Sequence, residues 1–245
     1  DAAFLFKELR HPLLVWQHKK AGGPAVVPIS VEVSADLRVV AITGPNTGGK
    51  TVTLKSIGLA ALMARAGMLL PCSGQPSLPW CAQVLADIGD EQSLQQSLST
   101  FSGHVKRIGR ILSSLAEGSA PALVLLDEVG AGTDPTEGTA LATALLKALA
   151  DRARLTIATT HFGELKALKY SDARFENASV AFNAETLSPT YDLLWGIPGR
   201  SNALAIASRL GLDPAVLTQA KELMAPAAEG EVNSVIRGLE EQRQR

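Results

Sequence analysis

Eight consecutive residues, Gly44-Pro45-Asn46-Thr47-Gly48-Gly49-Lys50-Thr51, carry the most specific chemistry in the chain. They fit the pattern G-x-x-x-x-G-K-[ST], and their surroundings fit it as well. Residues 38–43 (RVVAIT) read as a buried strand ending at Gly44, and Leu54, Ile57 and Ala61 stripe a helix expected to run to about Gly67. Glycines let the backbone curl so that successive N–H groups and a helix N-terminus face one anion. Lys50 adds a point charge suited to β- and γ-phosphates, and the Thr51 hydroxyl suits Mg2+. The stretch predicts a nucleoside triphosphate site.

Three further stretches could complete it. Asp127-Glu128 ends a short apolar run, residues 123–126. After a phosphate loop, Asp127 is expected to hold Mg2+ directly or through its water, and Glu128 to polarise the attacking water. The bland alternative is a pair of exposed carboxylates at a strand end. His161 follows a third apolar run, residues 155–160, at the place where open α/β sheets bind ligands. Position alone leaves it either a phosphate-sensing, water-orienting group or a packed histidine. Ser99-Thr100-Phe101-Ser102 opens a helix striped by Val105, Ile108, Leu112 and Leu115. Hydroxyls and free N–H groups there make either an anion site or, more simply, a helix cap.

The elements needed to position these groups can be read around them. The order strand-helix-strand-helix-strand through residue 160 predicts an α/β fold with a mostly parallel central sheet flanked by helices. Asp134, Pro135 and Glu137 have capping-box spacing ahead of a helix striped by Leu141, Leu145 and Leu149. Residues 1–24 read as an entry segment, with His11-Pro12 in a turn and another turn at 21–24. Ile29, Val31 and Val33 alternate like a half-exposed strand. Residues 71–83, broken by prolines and glycines, read as an irregular connection, and 84–100 as polar with weak periodicity. Lys106, Arg107 and Arg110 read as a solvated helix face. Residues 175–182 and 191–195 predict an antiparallel pair turning through 185–189. Two helices follow: one from about Ser201, the other capped by Asp213 with Leu217, Ala220 and Leu223/Met224 inward. Val232, Val235, Ile236 and Leu239 form a stripe too short to fold alone.

Composition bounds the function. Hydrophobic residues make up 46% of the 245-residue chain and aromatics only 4%, so the core must be aliphatic. Lys and Arg total 23 against 24 Asp and Glu, a formal net charge of −1 that marks no overall nucleic-acid surface. Cys72 and Cys81 have no metal-like spacing and read as free thiols of a reducing cytosol. No run reaches the roughly 18 apolar residues of a membrane span, and no leader is visible, so a soluble, cytoplasmic protein is expected. The abrupt start and uncapped end suggest a piece of a longer polypeptide.

Taken together, GPNTGGKT, LVLLDE, GAGTDPTEG, ATTHF and SLSTFSGH in this order resemble the ATPase domain of the MutS family, within the ABC-type P-loop ATPase class. The likeness covers nearly the whole chain, from RHPLL to GIPGRSNALAIASRLGLDP. GTDPTEG and IPGRSNAL resemble the type-two, recombination-restraining branch. The resemblance implies ATP and Mg2+ as ligands, with Gly44, Pro45, Asn46, Thr47, Gly48, Gly49, Lys50 and Thr51 on the nucleotide and Asn46 near the γ-phosphate or its water. It implies that Ser99 and Thr100 act in trans across a homodimer, that Glu128 and His161 are catalytic, and that Thr51 and Asp127 hold the metal. It divides the chain into an ATPase domain, 1–225, with dimerisation helices from about 201, and a helical stub, 226–245. One departure concerns the base. Mismatch-recognising relatives stack adenine on a ring upstream of the loop strand, whereas here residues 25–28 are Ala-Val-Val-Pro, which predicts aliphatic contact through Val26 and looser purine selectivity.

In this family the parent proteins bind branched or duplex DNA, and some act on stalled ribosomes. The type-two branch carries a clamp or coiled-coil insertion and a nuclease-like module, neither of which is in these residues. The expected function is an ATPase motor that drives DNA-binding parts outside the chain, with no membrane partner. The rival readings are a nucleotide-gated dimerisation module with negligible turnover and the engine of a ribosome-rescue factor. A transporter engine is disfavoured because SLSTFSG stands where LSGGQ is expected.

Overall fold

The computed structural model describes residues 2–23, 25–44, 49–89, 97–117, 120–183, 188–199 and 203–224. In chain order the elements are β1 (Phe4–Leu9), α1 (Pro12–Ala21), β2 (Ile29–Val33), β3 (Val39–Thr43), α2 (Lys50–Arg65), β4 (Ser73–Ser77) and β5 (Gln83–Asp87). There follow α3 (Ser97–Glu117), β6 (Ala122–Leu126), α4 (Pro135–Arg152), β7 (Leu155–Thr159), a 3-10 turn at Gly163–Ala167 and α5 (Leu168–Ser171). The chain continues through β8 (Phe175–Asn183), β9 (Ser188–Trp195), α6 (Ala203–Arg209) and α7 (Pro214–Leu223).

The main sheet has the order β5-β6-β7-β3-β8-β9, parallel throughout except for the β8–β9 pair. The central strands β3, β6 and β7 are buried along their whole length, as their apolar runs require of a sheet covered on both faces. Strand alternation sorts their side chains between two cores. Ile42, Leu125 and Ile157 pack with α2 residues and with a second sheet, β2-β1-β4, which is antiparallel. Val39, Val124 and Ala158 pack with α3, α4 and the segment after β7. The predicted α/β architecture is therefore present, with the antiparallel strands both continuing and flanking the main sheet.

Several local expectations are corrected. The entry segment holds a strand and a helix: Phe4, Phe6 and Leu9 are buried on β1. His11-Pro12 starts α1, because proline at the first helical position loses no hydrogen bond. The connection at 71–83 contains β4, an edge strand that tolerates Pro76. The polar stretch after it begins with β5, which pairs with β6 from Gln83 to Asp87. On α3, Ile108, Leu112 and Leu115 pack into the core as read, Ile111 joins them, and Val105 is exposed. On α4 the inward face is Ala142, Leu145, Leu146 and Leu149, leaving Leu141 exposed. Asp134 does cap that helix, accepting from the Thr136 and Glu137 N–H groups. On α7 only Leu217 is buried, whereas Leu223 is 77% exposed. Both cysteines are free thiols, and burial raises the pKa of each. Of the turn expected at 185–189, residues 185–187 lie outside the described residues and residues 188 and 189 open β9; the stripe at 232–239 also lies outside the described residues.

Candidate nucleotide site

The parallel strands end together at one edge of the sheet, and the sequence-predicted groups gather there. Lys50, at the start of α2, is 1% exposed; its Nζ donates to the Gly44 carbonyl at 2.9 Å and lies 3.4 Å from Glu128 Oε1. The Thr51 hydroxyl donates to Asp127 Oδ2 at 2.6 Å. His161 Nδ1 stands 3.1 Å from Glu128 Oε2. One carboxylate, Glu128, thus bridges the loop lysine and the histidine at the end of β7. Pro45, Asn46, Thr47 and Gly48 lie outside the described residues, as do the side chains of Ser99 and Thr100, which fall in the first turn of α3.

Thr159 is a positioning group that sequence reading missed. Its Oγ1 donates to Asp127 Oδ1 at 2.5 Å and accepts the Glu128 N–H at 2.8 Å. A hydroxyl can donate one bond while accepting another, so a single buried side chain orients both acidic residues. Glu128 also adopts φ 51, an uncommon conformation for a residue with a Cβ. The hydrogen bond from its N–H and that from Val129 N–H to Thr159 O (3.0 Å) hold the turn against β7. The sequence signal was there to use: a threonine in the last position of the strand that delivers His161.

The turn that follows is locked by backbone-to-backbone packing. Gly130 has φ 81, and a Cβ on it would meet the Gly138 carbonyl oxygen at 2.6 Å and the Phe162 ring at 2.8 Å. Only glycine fits there, which explains the glycine content of GAGTDPTEG as a requirement for placing α4 against the carboxylate turn.

A cavity of about 420 Å³ opens beside Gly49, Val52 and Thr53, walled by α1, Val26, Val27 and Tyr191. Val26, the residue singled out in the sequence, lines this cavity together with Gly49. The cavity wall is not purely aliphatic, because Tyr191 supplies a ring from β9. A Cβ on Gly49 would sit 3.0 Å from Tyr191 Cδ1, so the ring lies directly against the end of the loop. His11 also lines this cavity, and burial, reinforced by Lys55, lowers its pKa and favours the neutral imidazole. No local sequence signal flags Tyr191, since strand order in the sheet is what brings it there.

Residues 40–227 match the family model described as MutS domain V. The chain belongs to the MutS domain V family. Among curated proteins it is similar to Endonuclease MutS2 of Synechocystis sp., with 63% identity over 97% of this chain and 30% of that protein. The MutS2 proteins of Symbiobacterium thermophilum (52% identity; 94% of this chain, 28% of that protein) and Shouchella clausii (49%; 98% and 29%) are also similar. The chain therefore spans under a third of the length of these relatives, and its likeness is to the type-two branch of the MutS family. Family membership makes the gathered residues a P-loop ATPase domain. Among the described residues no helix is long and apolar enough to cross a membrane.

The residues fit Mg2+ in the manner of this domain class. Among the described residues no three His, Cys, Asp or Glu side chains form a metal cage. None is needed, because Mg2+ in such sites uses one or two protein oxygens with phosphate and water. Thr51 Oγ1 and Asp127 Oδ2, two oxygens 2.6 Å apart at the start of α2 and the end of β6, have the chemistry such a pair requires.

Proposed function

We propose that this chain is the ATP-binding and ATP-hydrolysing engine of a type-two MutS protein, closing as a homodimer around two ATP molecules. The observation that carries this reading is the shared carboxylate: Glu128 spans Lys50 and His161 while its neighbour Asp127 holds the Thr51 hydroxyl. Lys50, with Asn46 and the loop N–H groups, binds the β- and γ-phosphates. Tyr191 stacks on the adenine, with Val26 on the aliphatic wall. Thr51 and Asp127 hold Mg2+, which neutralises charge on the phosphates. Glu128 accepts the proton of the water that attacks the γ-phosphorus as the bond to the β-phosphate oxygen breaks, and His161 orients Glu128 through the contact at its Oε2. Ser99 and Thr100, in the first turn of α3, serve the site of the other subunit, and α6 and α7 contribute to the subunit interface.

On this reading ATP state governs how the parent protein grips duplex or branched DNA and restrains recombination in the cytoplasm. Nucleic acid is held mainly by the parts of the relatives beyond the matched 28–30%. The test is Glu128→Gln. ATP binding is expected to persist while hydrolysis falls at least about a hundredfold, the scale of a lost general base. Normal phosphate release by that variant would overturn the assignment. Wild-type protein with no single-turnover hydrolysis, with or without DNA, would favour a nucleotide-gated dimer instead.

A further inference from the structure

Asp87, at the end of β5, is 2% exposed, and it is met by two cationic or polar side chains from the helix that carries Ser99. His104 Nδ1 lies 2.6 Å from Asp87 Oδ2, and Arg107 Nε donates to Asp87 Oδ1. His104 and Arg107 are three residues apart, on one face of α3 and one turn from each other. The Asp87 carbonyl accepts the N–H of Asp127 at 2.9 Å. One residue therefore ties α3 to the strand that bears the metal-binding carboxylate. Lys106, Arg107 and Arg110 are exposed as read from the sequence, and Arg107 is in addition half of this clamp.

The rest of α3 does little to fix the height or rotation of its first turns. Its buried apolar anchors, Ile111 and Leu115, lie near the far end. Between α3 and α4 a cavity of about 380 Å³ runs along Phe101, Val105, Ile108 and Leu112 and reaches Asp127 and Glu128. Ser99 stands five residues before His104, about 7.5 Å along the axis at 1.5 Å per residue. Near that end Phe101 also makes contact: its Cβ would lie 3.4 Å from a Cβ on Gly132. Ile108 and Leu112 pack, partly buried, against the core on the C-terminal side of the clamp, and the Asp87 ion pair ties the helix to β5 between them and the first turn.

We infer that Asp87, through His104 and Arg107, is a positioning residue for the trans-acting Ser99 turn: it holds that turn in register for the partner subunit's nucleotide. This rests on the proposed reading of two subunits sharing each site. A buried charge that fixes geometry is a recognised use of such groups, and misplacing a transition-state contact by about 1 Å can cost about a hundredfold.

The test is complementation between subunits of the 245-residue chain. Asp87→Asn alone is expected to lose at least tenfold in kcat, with nucleotide affinity changed less than twofold. Co-expressed with Glu128→Gln, it should recover to about one quarter of the wild-type rate, the fraction of complete sites in a random two-component dimer. In that mixed dimer the Asp87→Asn subunit keeps its own Glu128 and receives an intact α3 from its partner. Ser99→Ala with Glu128→Gln is run beside it. Recovery in the Ser99→Ala mixture but none in the Asp87→Asn mixture overturns the inference, placing Asp87 in its own subunit's site. No recovery in either removes the trans reading and the inference with it, as would a wild-type rate from Asp87→Asn alone. Arg107→Gln, at a half-exposed side chain, repeats the test where loss of the buried charge prevents folding.

Discussion

The two halves of the candidate site are built by different physics. Asp127, Glu128 and His161 sit on strand ends whose register is fixed by neighbouring strands buried on both faces. Ser99, in the proposed trans half, sits on a helix that packs through Ile108, Ile111, Leu112 and Leu115 along its C-terminal half and pairs with Asp87 through His104 and Arg107 near its middle. A strand cannot shift without turning its inward residues outward, whereas a helix with a gap along one flank can tilt at small cost. The arrangement suits a site in which one half stays fixed and the other answers to a partner. Altering each half in turn measures how rigid it is.

The largest effect is expected in the fixed half. Thr159→Val keeps the shape of the side chain but removes the hydroxyl that serves both Asp127 and Glu128. Single-turnover hydrolysis should fall by about a hundredfold, since both groups lose their orientation. Stability should fall by about 1–3 kcal/mol from the buried polar atoms left unpaired, read from urea unfolding. Unchanged hydrolysis would mean that strand register alone holds the carboxylates. In the other half, Leu115→Ala removes an anchor of α3 and should cost about 2–3 kcal/mol, toward the low end for a buried leucine because the neighbouring gap gives the helix room to settle. A cost near 5 kcal/mol would show that α3 is packed as rigidly as the strands.

This contrast also governs what the sequence could reveal. Strands β3, β6 and β7 were legible because double burial writes itself as an unbroken apolar run, and the residues after each run had to lie on one sheet edge. Strand β5 was not, because an edge strand needs little apolar sequence and its last residue, Asp87, is a buried charge. The pairing of the exposed Arg107 with Asp87 was missed because that partner is 20 residues away and on another element. Tyr191 was missed as a neighbour of the loop for the same reason: β9 reaches Gly49 through the pairing of β3 with β8 and β8 with β9. Local periodicity reports which face of an element is buried, and it is silent on which polar groups meet across elements.

Tyr191 gives a smaller and separable effect. It lines a cavity whose walls include no Asp or Glu among the described residues, and on the proposed reading it stacks on the base, so Tyr191→Ala should weaken nucleotide binding about tenfold, within the range for one base stacked on a ring. The single-turnover rate at saturating nucleotide should change little. Equal losses in both would place the ring in the hydrolytic geometry rather than beside the base.

The smallest effect comes from an ion pair that serves as a control for Asp87. Asp172 accepts from Arg174 Nε and Nη2, and Arg174 Nη1 also donates to Asp151 at the end of α4. The Arg174 side chain, followed by its backbone N–H, holds the Asp172 carboxyl down at about 2 against an ordinary value of 3.8. A depressed carboxylate stabilises the folded state in full above the unfolded value, and that contribution is lost as pH falls through the folded one. The difference in stability between wild type and Asp172→Asn should therefore be constant above pH 3.8 and vanish as pH falls toward 2. It should also be small and weakened by salt, because water reaches this pair. Asp87→Asn should differ on both counts, with a larger loss that salt barely changes, since its partners close over a carboxylate that is 2% exposed. If the two variants responded alike to salt, the Asp87 cluster would be a surface pair, and it could not hold the first turn of α3 in place.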